Sequence, residues 1–252
     1  MAVIESRPKI RIGVFIPTDC QLLDMACVDI FGTMSYEYLT IVKDLVPGPL
    51  MNLAPSVEIS CNYSPTFPVI LHISVVQPGE LIRLTSSASV ACTHHFSDPK
   101  MQPGMLDIVF VPGPDPAVDY SNLKDALDWL TAHAAHPGTD ILSVCTGAYL
   151  CGAAGVFNGK KASGPRGVQG DLEKKFPDVK WVGGVTNGND LVAAYARTTS
   201  RFPGPVVELA LMATDTGDRA QRYDTGKTAV TLGVLWQVLK AMLMGVGKTK
   251  EA

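Results

Sequence analysis

Cys145 is the residue of this chain whose type and position best suit covalent chemistry. It separates the apolar run 140–144 from the Ala-, Leu- and Gly-rich stretch 146–157, where a buried strand is predicted to turn into a helix. A thiol at a helix N-terminus meets the positive end of the helix dipole and unpaired N–H groups, which favour the thiolate. We therefore predict that Cys145 is a nucleophile with a lowered pKa.

A second strand end carries a glycine. The apolar run 106–111 is followed by Pro112-Gly113, as expected for a central parallel strand that enters a functional loop. Because ligands bind beyond the carboxyl ends of the strands in such sheets, Gly113 and Cys145 are expected to face one crevice. The backbone N–H groups of Gly113 and Thr146 would stabilise an oxyanion on a substrate that the sulfur attacks.

The other five cysteines are predicted to pack as small apolar side chains; they are Cys20, Cys27, Cys61, Cys92 and Cys151. No CxxC pair occurs, so a structural zinc site is not expected. The apolar run that ends at Pro17 is too short for a signal-peptide core. We expect six free thiols and a cytoplasmic location.

Strand-like and helix-like segments alternate along the chain, which predicts an α/β three-layer fold with a mostly parallel central sheet. The predicted strands are 9–17, 57–63, 69–76, 106–111, 140–144 and 179–182. The predicted helices are 22–34, 122–135, 146–157 and 168–175, with two further helices closing the chain. The Asn187-Gly188 step predicts a hairpin that leads into a strand at 191–196.

Length and charge limit the class of protein. A chain of 252 residues with 46% hydrophobic residues and a net charge of −3 is expected to form a single domain over 1–252. We predict a core of about 9–215, a C-terminal helix of about 220–245 and a disordered tail at 248–252. Without a basic run or a long apolar stretch, neither nucleic acid nor a membrane is an expected partner.

Three motifs carry a resemblance to a known family. Residues 143–150 (SVCTGAYL) resemble the cysteine elbow of the ThiJ/PfpI superfamily, which has a class I glutamine amidotransferase-like fold, and residues 109–113 (VFVPG) resemble its oxyanion loop. Residues 21–24 (QLLD) with 29–31 (DIF) resemble the acidic motif of its isocyanide-hydratase-like branch. The resemblance covers about 9–215 and implies a flavodoxin-like sandwich, a homodimer, and no metal or organic cofactor.

The resemblance also implies roles for individual residues. Cys145 corresponds to the nucleophile, Thr146 and Gly113 to the oxyanion donors, and Asp24 to the carboxylate that hydrogen-bonds the sulfur. A carboxyl that donates to a thiolate must be protonated, which burial would favour by raising its pKa. Alternatively, Asp24 moves protons as a general acid and base, or it only stabilises the first turn of its own helix.

The sequence departs from the superfamily where many members place a histidine. Pro165 stands there, and all five histidines precede Cys145, which counts against peptidase and glutaminase activity. His94 and His95, in a segment predicted as a loop, and Arg166 are candidate substrate contacts. Solvated surface roles are the alternatives for all three.

The leading hypothesis is a cofactor-free hydratase or lyase in which Cys145 adds to a small electrophilic carbon, such as an isocyanide, and Asp24 shuttles protons. A glyoxalase-like conversion of α-oxoaldehydes is an alternative. Altered segments at 164–166 and 201–205 leave open an enzyme that tailors secondary metabolites. A redox-sensing or binding protein without turnover is a fourth interpretation, because peroxide also attacks an exposed thiolate.

Overall fold

The computed structural model describes residues 7–63, 79, 81–117, 119–182, 187–216, 231–232 and 235–236. The chain divides into two compact units, Met1–Arg219 and Ala220–Ala252. In the second unit the described residues 231–232 and 235–236 are helical. The predicted strand 69–76 and the predicted tail 248–252 lie outside the described residues.

Helices and strands alternate through the first unit. The strands are β1 (Lys9–Ile16), β2 (Ser56–Tyr63), β3 (Leu81–Arg83), β4 (Ser89–Ala91), β5 (His94–His95), β6 (Ile108–Val111), β7 (Asp140–Ser143), β8 (Lys161–Ala162) and β9 (Lys180–Trp181). The helices are α1 (Leu22–Ala26), α2 (Val28–Thr33), α3 (Tyr36–Ile41), α4 (Gly48–Leu53), α5 (Lys124–Ala135), α6 (Gly147–Ala153), α7 (Gln169–Lys175), α8 (Gly188–Thr198) and α9 (Gly204–Ala213). Short 3-10 turns occur at Pro99–Met101, Tyr120–Asn122 and Arg166–Val168.

The central sheet has the strand order β5-β2-β1-β6-β7, and all of its strand pairs are parallel. The chain runs outward from β1 to β2 and β5, and it then crosses back to β6 on the other side of β1 and continues to β7, so its direction across the sheet reverses between β1 and β6. In open α/β sheets the ligand crevice lies at this reversal, beyond the carboxyl ends of the strands. The predicted flavodoxin-like α/β fold with a mostly parallel sheet is confirmed.

Two apolar layers cover the two faces of the sheet. Along β6, Ile108 and Phe110 pack with α2, α8 and α9, whereas Val109 and Val111 pack with α5 and α6. Alternate residues of a strand point to opposite faces, so a continuously apolar strand indicates that both faces are buried. This arrangement fixes the position of the strand ends on which the candidate site is built.

The structure corrects three predictions of local structure. Residues 188–198 form a helix, not a hairpin and strand, because the Asn187 side chain accepts the Asn189 N–H at 3.0 Å and caps a helix. The predicted helix 22–34 is two short helices that meet at Cys27. His94–His95 is a short strand paired with β2, not a loop.

The six cysteines are free, as predicted; Cys20, Cys27, Cys92 and Cys151 are buried, whereas Cys61 and Cys145 are partly exposed. Among the described residues, no helix has the length and apolar character needed to cross a bilayer.

Candidate active site

Cys145 occupies a sharp turn between β7 and α6. Its backbone has a φ of 53°, in the left-handed region that residues other than glycine rarely adopt. Two residues later, Gly147 approaches the carbonyl of Val111 so closely that a Cβ there would overlap it. The helix is thus pressed against the end of β6, and Cys145 is presented at the edge of the sheet.

Asp24 provides a buried carboxyl beside this cysteine. It lies on α1, directly after β1, and only 7% of the residue is exposed. Its Oδ2 accepts the Gly113 backbone N–H at 3.1 Å, and its carboxyl lies close enough to the Cys145 thiol for each group to shift the pKa of the other. The structure therefore brings together the carboxyl and the sulfur that were predicted to act as a pair.

The two predicted oxyanion donors also lie in this group. The Thr146 N–H lies where it lowers the pKa of the Cys145 thiol, and the Thr146 hydroxyl donates to the Pro114 carbonyl at 2.6 Å. A Cβ at Gly113 would come within 2.6 Å of Asp24 Oδ2 and would also overlap Thr146. Glycine is required here by close approach, and its N–H holds Asp24 in place.

The electrostatics of the pair correct one prediction. Burial raises the pKa of Cys145 above its ordinary value, and the neighbouring Asp24 charge raises it further, whereas the Thr146 N–H opposes the shift. The predicted lowering was wrong because desolvation and a nearby carboxyl outweigh the donors at the helix N-terminus. Burial also raises the pKa of Asp24, although the Gly113 N–H and the Cys145 thiol hydrogen-bond the carboxyl. The pair therefore retains a shared proton between sulfur and carboxyl.

A cavity of about 210 Å³ adjoins Cys145. Its walls come from β7 and the two residues after it, from β8 and the residues that follow it, and from the start of α8. The lining residues are Ile141, Leu142, Ser143, Val144, Cys145, Phe157, Lys161, Ala162, Ser163, Gly164, Asn187, Gly188 and Leu191. This volume suits a small substrate, because cavities for drug-sized ligands are about 300–1,000 Å³.

Of the predicted site residues, Cys145 lines this cavity, whereas Asp24, Gly113 and Thr146 are not among its described lining residues, and neither are His94, His95 and Arg166. His94 and His95 lie on the outermost strand β5, where their ring nitrogens contact Thr93 and Ser97 respectively. Arg166 begins a 3-10 turn directly after Pro165 and is partly buried. The structure therefore brings Asp24, Gly113 and Thr146 to Cys145 and leaves these three residues outside the group.

Sequence reasoning missed the wall formed by Lys161, Ser163 and Asn187. Asn187 was assigned to a hairpin because Asn-Gly is a strong turn signal. The competing signal was an asparagine followed three residues later by Asp190, the pattern of a helix N-terminus. No local pattern marked Lys161 or Ser163, which reach the cavity through tertiary packing.

Charged side chains form a network at the other end of these strands, where β6 and β7 begin. Arg201 Nε donates to Asp140 Oδ2 at 3.1 Å, and its Nη1 lies 3.4 Å from Asp107 Oδ1. The Tyr195 hydroxyl donates to Asp140 at 2.7 Å, and Asp107 accepts the Arg11 backbone N–H at 2.8 Å. Arg201, in the altered segment 201–205, thus joins the amino ends of β6 and β7.

Comparison with known structures shows the same fold. A ThiJ/PfpI family protein from Pseudomonas syringae matches with a TM-score of 0.59 and 15% identity, covering 93% of this chain and 87% of that chain. DJ-1 from Schizosaccharomyces pombe has a TM-score of 0.54 and 13% identity, covering 82% and 100%. A putative transcriptional regulator from Vibrio parahaemolyticus has a TM-score of 0.56 and 13% identity, covering 81% and 98%.

Among curated proteins, none matches this chain significantly. The family model described as the DJ-1/PfpI family matches residues 69–214, more than half of the chain. The matched region contains Gly113, Cys145 and Thr146, whereas Asp24 precedes it. The chain belongs to the DJ-1/PfpI family.

Proposed function

We propose that this protein is a cysteine-dependent hydratase or lyase that needs no cofactor, with Cys145 as nucleophile and Asp24 as proton shuttle. The observation that carries the proposal is the approach of the buried Asp24 carboxyl to Cys145, beside which it is held by the Gly113 N–H and where each group shifts the pKa of the other. General acid and base catalysis needs a titratable group within reach of the proton that moves. Asp24 meets that condition, with a pKa raised by burial.

The proposed reaction is the hydration of an isocyanide, in keeping with the resemblance to the isocyanide-hydratase-like branch. The Cys145 sulfur bonds to the isocyanide carbon while its proton passes through Asp24 to the same carbon, which gives a thioimidate. Water then adds to the thioimidate carbon, with its proton transferred through Asp24 to the nitrogen. The carbon–sulfur bond breaks, the N-formyl amide leaves and the thiol regains its proton.

The backbone donors have two tasks in this scheme. The Thr146 N–H faces the sulfur and stabilises negative charge there. The Gly113 N–H holds Asp24, so it reaches a substrate oxygen only when Asp24 rotates away. Thr146 is therefore the donor with an immediate catalytic role, and Gly113 positions the carboxyl.

The raised pKa of Cys145 disfavours peroxide sensing, and it makes covalent catalysis depend on transfer of the thiol proton to Asp24. A peroxide sensor needs a thiolate at neutral pH, whereas burial and Asp24 keep this thiol protonated. Glyoxalase-like and tailoring activities use the same addition step with different electrophiles. The substrate screen described below distinguishes these activities from isocyanide hydration.

The test is a turnover screen with small isocyanides and α-oxoaldehydes, followed by mass spectrometry. We expect N-formyl products with the wild type and none with the Cys145→Ser variant. Cys151→Ser is the matched control, because Cys151 is buried on the next helical turn and does not line the cavity. Isocyanide turnover that survives Cys145→Ser contradicts the proposal, and conversion of α-oxoaldehydes alone favours the glyoxalase-like alternative.

We further propose a cytoplasmic homodimer that acts on a small molecule. Size-exclusion chromatography with light scattering tests the dimer, and a monomer at micromolar concentration contradicts it.

A further inference from the structure

A second cavity, of about 230 Å³, lies near the starts of β1 and β2. It is lined by Lys9 and Arg11 of β1, by Glu58 and Ser60 of β2, and by the segment that precedes β6. In the parallel register Arg11 lies opposite Glu58, so the alternation of side chains places these four on one face of the sheet. The group around Cys145 contributes no residue to the described lining, so a ligand here would be independent of the proposed function.

Ser60 brings a buried hydroxyl to this cavity. Only 4% of the residue is exposed, yet it belongs to the lining. Among the described residues its hydroxyl makes no hydrogen bond, and it is not one of the unpartnered polar atoms that the protein shields completely from solvent. A buried hydroxyl without a partner is unfavourable, so a ligand oxygen that accepts its proton would be stabilised in the cavity.

The charges around the cavity do not cancel. Glu58 lies 2.6 Å from Lys9, and Asp107 lies 3.4 Å from Nε of Arg11. Lys100 also lines the cavity, and within the described part of the chain it makes no ion pair. The hydrogen bond from Lys9, and less strongly the charge of Lys100, lower the pKa of Glu58. Among the described residues, three cations thus face two carboxylates, which leaves one positive charge for a ligand.

Arg11 has a donor to spare. Its Nε contacts Asp107 and its Nη2 donates to the Gly104 carbonyl at 3.5 Å, whereas its Nη1 has no partner among the described residues. The side chain is 34% exposed, so the guanidinium is partly shielded from water and still open to the cavity. A guanidinium N–H forms its strongest hydrogen bonds with carboxylate or phosphate oxygens.

The wall formed by the segment before β6 is apolar. It consists of Met101, Met105 and Leu106 next to Lys100. The Met101 carbonyl accepts hydrogen bonds from Trp129 Nε1 and from the His133 ring, each at 2.9 Å, which hold this wall in place. Met105 is 40% exposed, so an apolar ligand body in the cavity would remove apolar surface from water.

We propose that this cavity is a second binding site, separate from Cys145, for a small carboxylate with an apolar body. The carboxylate accepts the Ser60 hydroxyl and an Arg11 Nη1–H, and Lys100 balances its charge. The apolar body packs against the wall formed by the segment before β6. A single excess positive charge fits a monoanion better than a polyanion.

Titration with sodium hexanoate, followed by protein NMR, tests this site, with hexanamide as the uncharged ligand of the same length. We expect a Kd of about 1 mM for hexanoate and clearly weaker binding of hexanamide. Lys100→Gln should raise the hexanoate Kd by about twofold to fivefold, as for loss of an exposed ion pair. Ser60→Ala should raise it by about twofold to tenfold, as for loss of one hydrogen bond. Lys161→Gln is the matched control, because it removes the same charge at the cavity beside Cys145.

Equal affinities for hexanoate and hexanamide overturn the proposal, because the cavity would then not recognise a carboxylate. An unchanged Kd in Lys100→Gln or in Ser60→Ala also overturns it, since each residue is assigned a contact with the ligand. So does a loss of affinity in Lys161→Gln as large as that in Lys100→Gln, which would place hexanoate beside Cys145 or reflect general surface charge. No binding well above the expected Kd overturns the second site and leaves the proposed function in place.

Discussion

Carboxylates at the two ends of the central parallel strands have different partners. We call these ends the amino edge and the carboxyl edge of the sheet. At the amino edge, Asp107 and Asp140 meet the guanidinium of Arg201, which is held by both carboxylates. At the carboxyl edge, the described residues place no arginine or lysine against Asp24; a backbone N–H and the Cys145 thiol are its partners. A paired carboxylate stabilises the fold, whereas burial of an unpaired one raises its pKa, which suits it to accept and release a proton.

Within one sheet, the ion pairs of Arg201 therefore contribute to stability, whereas Asp24 and Cys145 form the candidate active site. Arg201 joins the starts of β6 and β7, and Gly113 and Cys145 lie just beyond the ends of the same two strands. Substitutions at the two edges should therefore change different measurements.

The largest expected effect is on turnover at the carboxyl edge. Asp24→Asn removes the proton shuttle and should lower turnover by about 10²- to 10⁴-fold, the usual contribution of general acid and base catalysis. Its unfolding midpoint in urea at neutral pH should equal or exceed that of the wild type, because burial penalises the ionised carboxyl. Turnover within twofold of wild type would assign Asp24 to the structure of α1 alone.

The next effect is on stability at the amino edge. Arg201→Met removes the Nη2 donor of the Gly138 carbonyl, at 2.8 Å, and leaves Asp140 with the Tyr195 hydroxyl as its side-chain donor. The side chain of Arg201 is 24% exposed, so solvent screening reduces the loss of unfolding free energy to about 1–2 kcal/mol. Urea denaturation measures the loss, and turnover per folded molecule should not change.

The matched control for this variant is Lys124→Met, which removes the exposed Lys124–Asp128 pair on α5. Its unfolding midpoint should match that of the wild type. If both variants lose the same stability, the amino-edge network contributes no more than a surface ion pair, and the contrast between the two edges fails.

The smallest expected effect is a shift in a pH profile. Because the Asp24 charge raises the pKa of Cys145, Asp24→Asn should lower that pKa. The iodoacetamide rate would then rise at lower pH in the variant than in the wild type, measured from about pH 6 to pH 10. If the rate profile of the variant instead shifts to higher pH, Asp24 is protonated in the wild type and donates a hydrogen bond to the Cys145 thiolate.

The raised pKa of Asp24 also predicts how the free energy of unfolding changes with pH. Because the pKa of Asp24 is higher in the folded state than in the unfolded chain, the folded state binds more protons between the two values. The wild type should therefore lose stability relative to Asp24→Asn as the pH rises through that interval.

Local sequence predicted the parts of the site that follow from strand ends. Gly113 and Cys145 each come directly after an apolar run, and the parallel pairing of β6 with β7 brings those ends together. Asp24 was predicted from its motif, and its position after β1 follows from the same rule. These positions could be predicted because the apolar composition of short segments indicates buried strands and shows where each strand ends.

The parts that sequence missed depend on contacts between distant segments. Arg201 meets Asp107 and Asp140 from 94 and 61 residues away, and no local pattern reports such a pairing. The direction of the Cys145 pKa shift was wrong for a similar reason, because the depth of burial and the approach of Asp24 exist only in the folded chain.

The left-handed backbone at Cys145 has a consequence for selection. Glycine adopts this conformation freely, whereas another residue in it costs about 1–3 kcal/mol. A laboratory search for heat-tolerant variants would therefore favour Cys145→Gly and eliminate the nucleophile. The cysteine therefore holds its thiol at this turn at a cost in backbone strain, against which its packing on the core is a gain.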